Sequence, residues 1–268
     1  MESQVNNRWL PRTRLNSHPE FRLFCLPYAG GGASVYRAWP QAVPRQVEVC
    51  AVELPGRGSR MCEAPFQRLT PLVRALASAI EPALDRPFAL FGHSMGGLVA
   101  FELARWLRRQ GGPSPRRLFV SASSAPGAPP TLPLLHQAPD TEVKAKLREL
   151  GGTPRELLDN DEIMALLIPT LRADLSVLET YEHRPEPPLE VPITVFGGTA
   201  DRTVRLPALA GWRTQTSAGS RLRLFSGDHF FLHDAATDML AAILEDLGVA
   251  APRPAAVDAA GSTLLNYA

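Results

Sequence analysis

Phe88-Ala-Leu-Phe-Gly-His-Ser94-Met-Gly-Gly97 is an apolar run that ends in Gly-x-Ser-x-Gly and passes into the helix-like stretch Leu98 to Arg109. Phe88 to Phe91, bounded by Pro87 and Gly92, reads as a short buried strand. Val99, Leu103 and Trp106, with Ala100, Ala104 and Leu107, then repeat at helical spacing. Ser94 is therefore predicted at a strand-to-helix junction. A tight turn there strains the backbone and leaves no room for neighbouring side chains, so Gly92 and Gly96 flank the serine and its Oγ stands clear of the sheet. The free N–H groups of the following helix put partial positive charge where an oxyanion would form.

A serine is a poor nucleophile without a base. In a fold with this turn the base comes late in the chain, after the acid that orients it. Val191-Pro-Ile-Thr-Val-Phe196 is an apolar, β-branched strand that breaks at Gly197-Gly198-Thr199-Ala200-Asp201, which places Asp201 in the loop at the strand's C-terminal end. Arg221-Leu-Arg-Leu-Phe225 alternates charged and apolar residues before Ser226-Gly227-Asp228-His229. Both candidates follow a strand, where the active-site loops of open α/β sheets gather.

Of the six histidines, His229 is the base that fits. His18 lies in a polar N-terminal segment, and His136 and His183 lie in or beside an inserted helical region. His233 is expected inside the last helix, and His93, next to the serine, is expected to point away from it. Asp228 adjoins His229 and cannot easily reach round to its Nδ1. It is expected to cap the following helix, which leaves Asp201 as the acid.

Phe21-Arg-Leu-Phe-Cys-Leu26 is read as the first strand and runs into Pro27-Tyr28-Ala29-Gly30-Gly31-Gly32-Ala33-Ser34. In this type of site one oxyanion donor is the N–H after the nucleophile and the other comes from such an early loop, which assigns the N–H groups of Met95 and Ala29. The three glycines match neither Gly-x-Gly-x-x-Gly nor a P-loop, and no Lys-Ser/Thr follows, so nucleotide binding is not expected. No HExxH or paired Cys/His spacing points to a metal.

With these residues in view, the chain from about Phe21 to Leu247 resembles the type II thioesterases of the α/β-hydrolase superfamily, the discrete editing enzymes of polyketide and nonribosomal peptide synthesis. The resemblance lies in a joint pattern: Leu26-Pro27-Tyr28-Ala29-Gly30-Gly31, Glu53-Leu54-Pro55-Gly56-Arg57, Gly92-His93-Ser94-Met95-Gly96, Leu150-Gly151-Gly152-Thr153-Pro154, Leu171-Arg172-Ala173-Asp174 and Gly227-Asp228-His229-Phe230-Phe231. It implies the triad Ser94, Asp201 and His229, the residues already reached. It also implies hydrolysis of acyl thioesters on the phosphopantetheine arm of acyl or peptidyl carrier domains, with no cofactor of the enzyme's own. The family often has His where Tyr28 stands and Gln where Glu53 stands, and both bear on the pocket mouth. A fatty acid synthase chain-terminating enzyme, a product-releasing thioesterase freed from its synthase, and a carrier-binding accessory protein with secondary catalysis are the alternatives.

Between the strand Leu118 to Ala122 and the strand at Val191 lies an insertion, about residues 130–186, too long for a plain crossover. Asp140-Thr141-Glu142 starts one helix. Thr153-Pro154-Arg155-Glu156 carries a capping-box signature with Pro at the first helical position, and Asn160-Asp161-Glu162 starts another helix. Pro169 is expected to divide that last stretch in two. Met164, Leu167, Ile168, Leu171, Leu175 and Leu178 repeat at helical spacing, a stripe that the fold would place over the site as a lid on an acyl pocket.

The chain has 268 residues, 45% of them hydrophobic, and a formal charge of +1, enough for one sizeable core and without the field that attracts nucleic acid or an anionic membrane. Residues 1–248 are read as one α/β-hydrolase domain with a mostly parallel central sheet flanked by helices, and 249–268 as a flexible tail. Met239, Leu240, Ile243, Leu244 and Leu247 line a last helix that stops at Gly248. Arg105, Arg108 and Arg109, or Arg57 and Arg60, are candidate contacts for an acidic carrier face. Three cysteines make no disulfide pattern, and Cys25 and Cys50 read as small hydrophobes. The N-terminus lacks an apolar signal core, so a cytoplasmic location is expected. Nothing in the sequence speaks against a monomer.

Overall fold

Two of the apolar runs bury residues of both parities. In the computed structural model, which describes residues 7–11, 19–128 and 134–250, Phe24 and Leu26 face one core while Leu23 and Cys25 face another. Phe88 and Leu90 likewise oppose Ala89 and Phe91. Strands covered on both faces read as continuous hydrophobic runs, the mark of a parallel sheet between helical layers. The strands are β1 (Phe21–Leu26), β2 (Val47–Ala51), β3 (Phe88–His93), β4 (Leu118–Ser121), β5 (Ile193–Gly198) and β6 (Ser220–Phe225). They form a six-stranded sheet in the order β2-β1-β3-β4-β5-β6, and every pairing is parallel.

The helices are α1 (Trp39–Ala42), α2 (Leu69–Ile80), α3 (Met95–Arg109), α4 (Asp140–Leu150), α5 (Arg155–Leu158), α6 (Asp161–Glu179), α7 (Leu206–Ala210) and α8 (Ala236–Leu247). Leu72, Leu76 and Ile80 of α2 and Leu103 and Leu107 of α3 cover one face. Trp39 of α1 and Met239, Leu240 and Ile243 of α8 cover the other. The chain steps outward from β1 to β2, then returns to build β3 on the other side of β1. Ligand sites of open α/β sheets lie at the carboxyl ends of strands where the order reverses in this way, and those ends carry Ala29 and Ser94.

Helices α4 to α6 occupy the connection from β4 to β5, as expected of the insertion; its residues 130–133 lie outside the described residues. Asn160 caps α6, accepting the Ile163 N–H at 3.0 Å. Three expectations fail here. Pro169 does not divide α6, which runs unbroken from Asp161 to Glu179. The carbonyl it deprives of a partner belongs to Ala165, which is exposed to water, while Met164 and Ile168 on one side and Leu171 and Asp174 on the other are buried and hold the helix across the proline. Thr153 does not form the capping box, because Pro154 itself is the N-cap of α5, with φ −54° and ψ 140°, and no side chain caps it. The threonine therefore stands one residue too early. The apolar stripe also splits: Met164 and Ile168 pack with Leu158 and Leu147, while Leu167 is 36% exposed.

Helix α8 ends at Gly248, whose φ of 68° is the left-handed stop expected there. Two residues of the expected tail, 249 and 250, are described and the rest lie outside the described residues, as do His18 and most of the N-terminal segment. His233 is not in the last helix, which begins only at Ala236. Asp228 caps no helix either: its Oδ1 accepts the Phe230 N–H at 2.8 Å, and this short-range bond starts the succession of turns that carries residues 229–235.

Candidate active site

Ser94 sits between β3 and α3 with φ 53° and ψ −117°, a conformation costing a non-glycine residue about 1–3 kcal/mol. Its neighbours permit it. A Cβ on Gly92 would stand 2.0 Å from the Gly96 carbonyl oxygen, and one on Gly96 would stand 2.1 Å from that of Leu26. The start of α3 is thereby pressed against the end of β1. The Ser94 N–H donates to the Ser121 carbonyl at 2.7 Å, and Ala122, next along, is the other non-glycine residue with positive φ among the described residues.

The three side chains predicted from distant parts of the sequence meet. His229 Nε2 lies 3.1 Å from Ser94 Oγ, and its Nδ1 lies 2.9 Å from Asp201 Oδ2. Asp201 Oδ1 accepts the Thr203 N–H at 2.7 Å, the Thr203 hydroxyl at 2.7 Å and the Val204 N–H at 3.1 Å. Burial alone would raise the Asp201 pKa. The hydrogen bond and charge of His229, with the hydroxyl and amide of Thr203, outweigh that and bring it down to about 2. An ionised carboxylate facing Nδ1 assigns the proton to that nitrogen and leaves the Nε2 lone pair towards Ser94. The Thr203 oxygen, 2.8 Å from Nδ1, shares the same proton.

His93 points away from Ser94, as expected, and has a role the sequence did not disclose. Its Nε2 is 2.9 Å from the His229 carbonyl oxygen and its Nδ1 is 2.9 Å from Ser121 Oγ. Complete burial drives its pKa well below the ordinary histidine value, so the neutral ring donates from Nε2 and accepts the Ser121 hydroxyl at Nδ1. Thr203 was missed too, although a Thr two residues after an Asp is the pattern of an aspartate-centred turn.

Ala29 follows β1 and lines the same cavity as Ser94. Gly31 N–H donates to the Tyr28 carbonyl at 2.9 Å, closing a turn around Ala29 and Gly30. Among the described residues neither the Ala29 nor the Met95 N–H has an acceptor, so both expected donors remain available. The cavity has a volume of about 440 Å³. Leu171, Leu175 and Leu178 of α6 line it together with Val143 and Leu147 of α4, with Ser94 and His229 among the polar groups. This half of the apolar stripe does roof the site.

The arginines proposed for a carrier face are engaged internally. Arg105 is buried and pairs with Glu102 and Glu186; Arg108 and Arg109 also hold Glu186. Arg57 pairs with Asp174, and Arg60 with Glu63. Glu186 and Asp174, distant in sequence and unseen in a one-dimensional charge pattern, take up part of each group, and Glu102 and Glu63 pair with Arg105 and Arg60 from three residues away. Among the described residues no cluster of three or more His, Cys, Asp or Glu side chains converges as a metal site, and no helix is long and apolar enough to cross a membrane.

The thioesterase domain family matches residues 21–247. The gramicidin S biosynthesis protein GrsT of Aneurinibacillus migulanus is 43% identical over 238 residues, which cover 89% of this chain and 93% of that protein. The RedJ thioesterase from the prodiginine biosynthetic pathway of Streptomyces coelicolor matches with a TM-score of 0.82 and 37% identity, over 91% of this chain and 100% of that chain. The type II thioesterase BorB from the borrelidin biosynthetic cluster matches with a TM-score of 0.81 and 33% identity, over 91% and 98%.

Proposed function

The chain belongs to the thioesterase domain family, and from that premise we propose that Ser94, His229 and Asp201 hydrolyse acyl thioesters on the phosphopantetheine arm of acyl or peptidyl carrier domains. The task is to clear aberrant short acyl groups from a polyketide or nonribosomal peptide synthase. The observation that carries the reading is the hydrogen-bonded line from Asp201 through His229 to Ser94 at one wall of an apolar, helix-roofed cavity. The kinds of pathway served by GrsT, RedJ and BorB support the choice of substrate.

His229 takes the Ser94 proton as Oγ attacks the thioester carbonyl, and Asp201 holds the imidazole tautomer and stabilises its charged form. The N–H groups of Met95 and Ala29 receive the oxyanion. The Ser94 proton then passes from His229 to the departing thiolate, whose conjugate thiol has a pKa of about 8.5 and so asks little of His229 as an acid, and the imidazole is neutral again. Water activated by the same imidazole then hydrolyses the acyl-serine. The pantetheine arm arrives with the substrate, and the residues named supply the rest of the chemistry.

The apolar lining of the cavity also suits a second reading, release of medium or long acyl chains. The test is hydrolysis of acetyl-, propionyl- and long-chain acyl-carrier proteins, beside the matching free thioesters, by wild type and Ser94→Ala. Editing predicts fast, Ser94-dependent release of short groups with preference for the carrier-bound form. Selective release of long chains moves the assignment to chain termination. Restoration of product output by Ser94→Ala in a producing strain would mean that carrier binding suffices and would overturn both.

A further inference from the structure

The loop that presents Ala29 is fixed from outside itself by a buried ion pair. Arg57 Nη1 and Nη2 lie 2.6 and 2.7 Å from the two carboxylate oxygens of Asp174, on α6. The side chains are only 8% and 3% exposed. Asp174 Oδ2 accepts the Gly30 N–H at 2.7 Å, and Arg57 Nη1 donates to the Gly31 carbonyl at 2.9 Å. Gly30 is the third residue of the turn Tyr28 to Gly31, and its φ of 79° is the type II signature.

Each peptide plane around Ala29 is thus held. The Tyr28–Ala29 peptide is held through its carbonyl by the Gly31 N–H. The Ala29–Gly30 peptide is the plane whose reversal converts a type II turn to type I, and Asp174 holds its N–H. Reversal would turn the Ala29 carbonyl oxygen onto the carboxylate. The Gly31–Gly32 peptide is held by Arg57. The Ala29 N–H, at the second position, takes no part in the turn's own bond and is left aimed in one direction. A buried ion pair adds little net stability compared with apolar residues of the same volume; what this one supplies is orientation.

We propose that Asp174, clamped by Arg57, is a positioning residue that pre-organises the Ala29 N–H as an oxyanion donor and fastens the lid helix α6 to the oxyanion loop. The inference rests on the reading of Ser94 and Ala29 given above. It assigns a task to two sequence motifs, Glu53 to Arg57 and Leu171 to Asp174, whose charged residues Arg57 and Asp174 bond to the oxyanion loop and not to Ser94. It also restricts lid movement, because the half of α6 that carries Asp174 cannot swing away without releasing the loop.

The test compares wild type, Asp174→Asn and the double variant Arg57→Met with Asp174→Leu, which removes both charges and leaves neither buried alone. One readout is kcat and KM on an acyl thioester. The other is the affinity of a short alkylboronic acid, which adds to a serine Oγ as a tetrahedral anion and needs no turnover. Expected are a fall in kcat of about tenfold or more with KM within about twofold, and a similar loss of boronate affinity, in protein that still melts cooperatively. A folded double variant that binds the boronate as tightly as wild type overturns the proposal. Should the double variant fail to fold, unchanged boronate affinity in Asp174→Asn, nearly isosteric with the native residue, overturns it equally. If the wild type binds the boronate through Ser94 yet hydrolyses no carrier-bound acyl group, the substrate reading has failed while the boronate series still decides the positioning role.

Discussion

His93 Nε2 lies 2.9 Å from the carbonyl oxygen of His229, so the residue before the nucleophile holds the backbone of the residue whose ring faces that nucleophile. The bond joins the end of β3 to a turn more than a hundred residues later in the chain, and it is buried. Replacing His93 with Ala leaves that carbonyl and the Ser121 hydroxyl without their partner and opens a cavity. The expected cost is about 2–4 kcal/mol of stability, with a fall in kcat of about tenfold as His229 loses its register. Urea unfolding and steady-state kinetics measure the two effects. Full activity in a destabilised variant would make His93 a packing residue only.

Asp201 gives the fold an acid signature. A carboxyl lowered to about 2 in the folded state, from 3.8, contributes stability that is fully present above its unfolded value and is lost as the pH falls through its folded one. Asp201→Asn removes the titrating carboxyl. The difference in unfolding free energy between wild type and Asp201→Asn should therefore shrink as the pH falls from about 4 to about 2. Urea titrations at stepped pH decide it, and a difference that does not shrink down to pH 2 contradicts the pairing of Asp201 with His229 and Thr203.

What the sequence made legible follows from how local each signal is. Ser94 and Asp201 each stand just after a strand whose apolar composition is visible on its own, His229 follows one in which charged and apolar residues alternate, and the order of those strands in the chain is enough to bring them to one end of a parallel sheet. Pro169 misled because propensity treats a helix as isolated, whereas α6 is held on both sides of the proline by buried side chains. The arginine groups misled for the opposite reason. Two of their partners, Glu186 and Asp174, arrive from elements far along the chain, and a charge pattern read in one dimension shows only the local ones, Glu63 and Glu102.

Gly96 tests how the two oxyanion donors are brought together. A Cβ there would stand 2.1 Å from the Leu26 carbonyl oxygen, backbone against backbone, so that only a shift of α3 relative to β1 relieves the clash. That shift separates Met95 from the loop bearing Ala29. Gly96→Ala is expected to lose about 3 kcal/mol or more, and any folded protein that remains should have lost kcat rather than raised KM. Circular dichroism melts followed by kinetics on the folded fraction check both, and a stable, fully active variant would show that the close approach is dispensable.

Leu175 separates a lid that selects its substrate from one that only covers the site. It lines the cavity from α6 without contributing to the buried pair at Asp174, so its side chain can be cut back without releasing the oxyanion loop. Leu175→Ala extends the apolar space, and each further acyl methylene that fills it is worth about 0.8 kcal/mol, close to fourfold in kcat/KM. The optimum should move one or two carbons longer, while acetyl release changes little because an acetyl group brings no methylene to fill the added space. Leu175→Phe should move the optimum the other way. Rates for a graded series of acyl-carrier proteins read the shift directly. An unchanged profile in both variants would leave chain length to be set elsewhere, with α6 serving to exclude water and to hold the loop that carries Ala29.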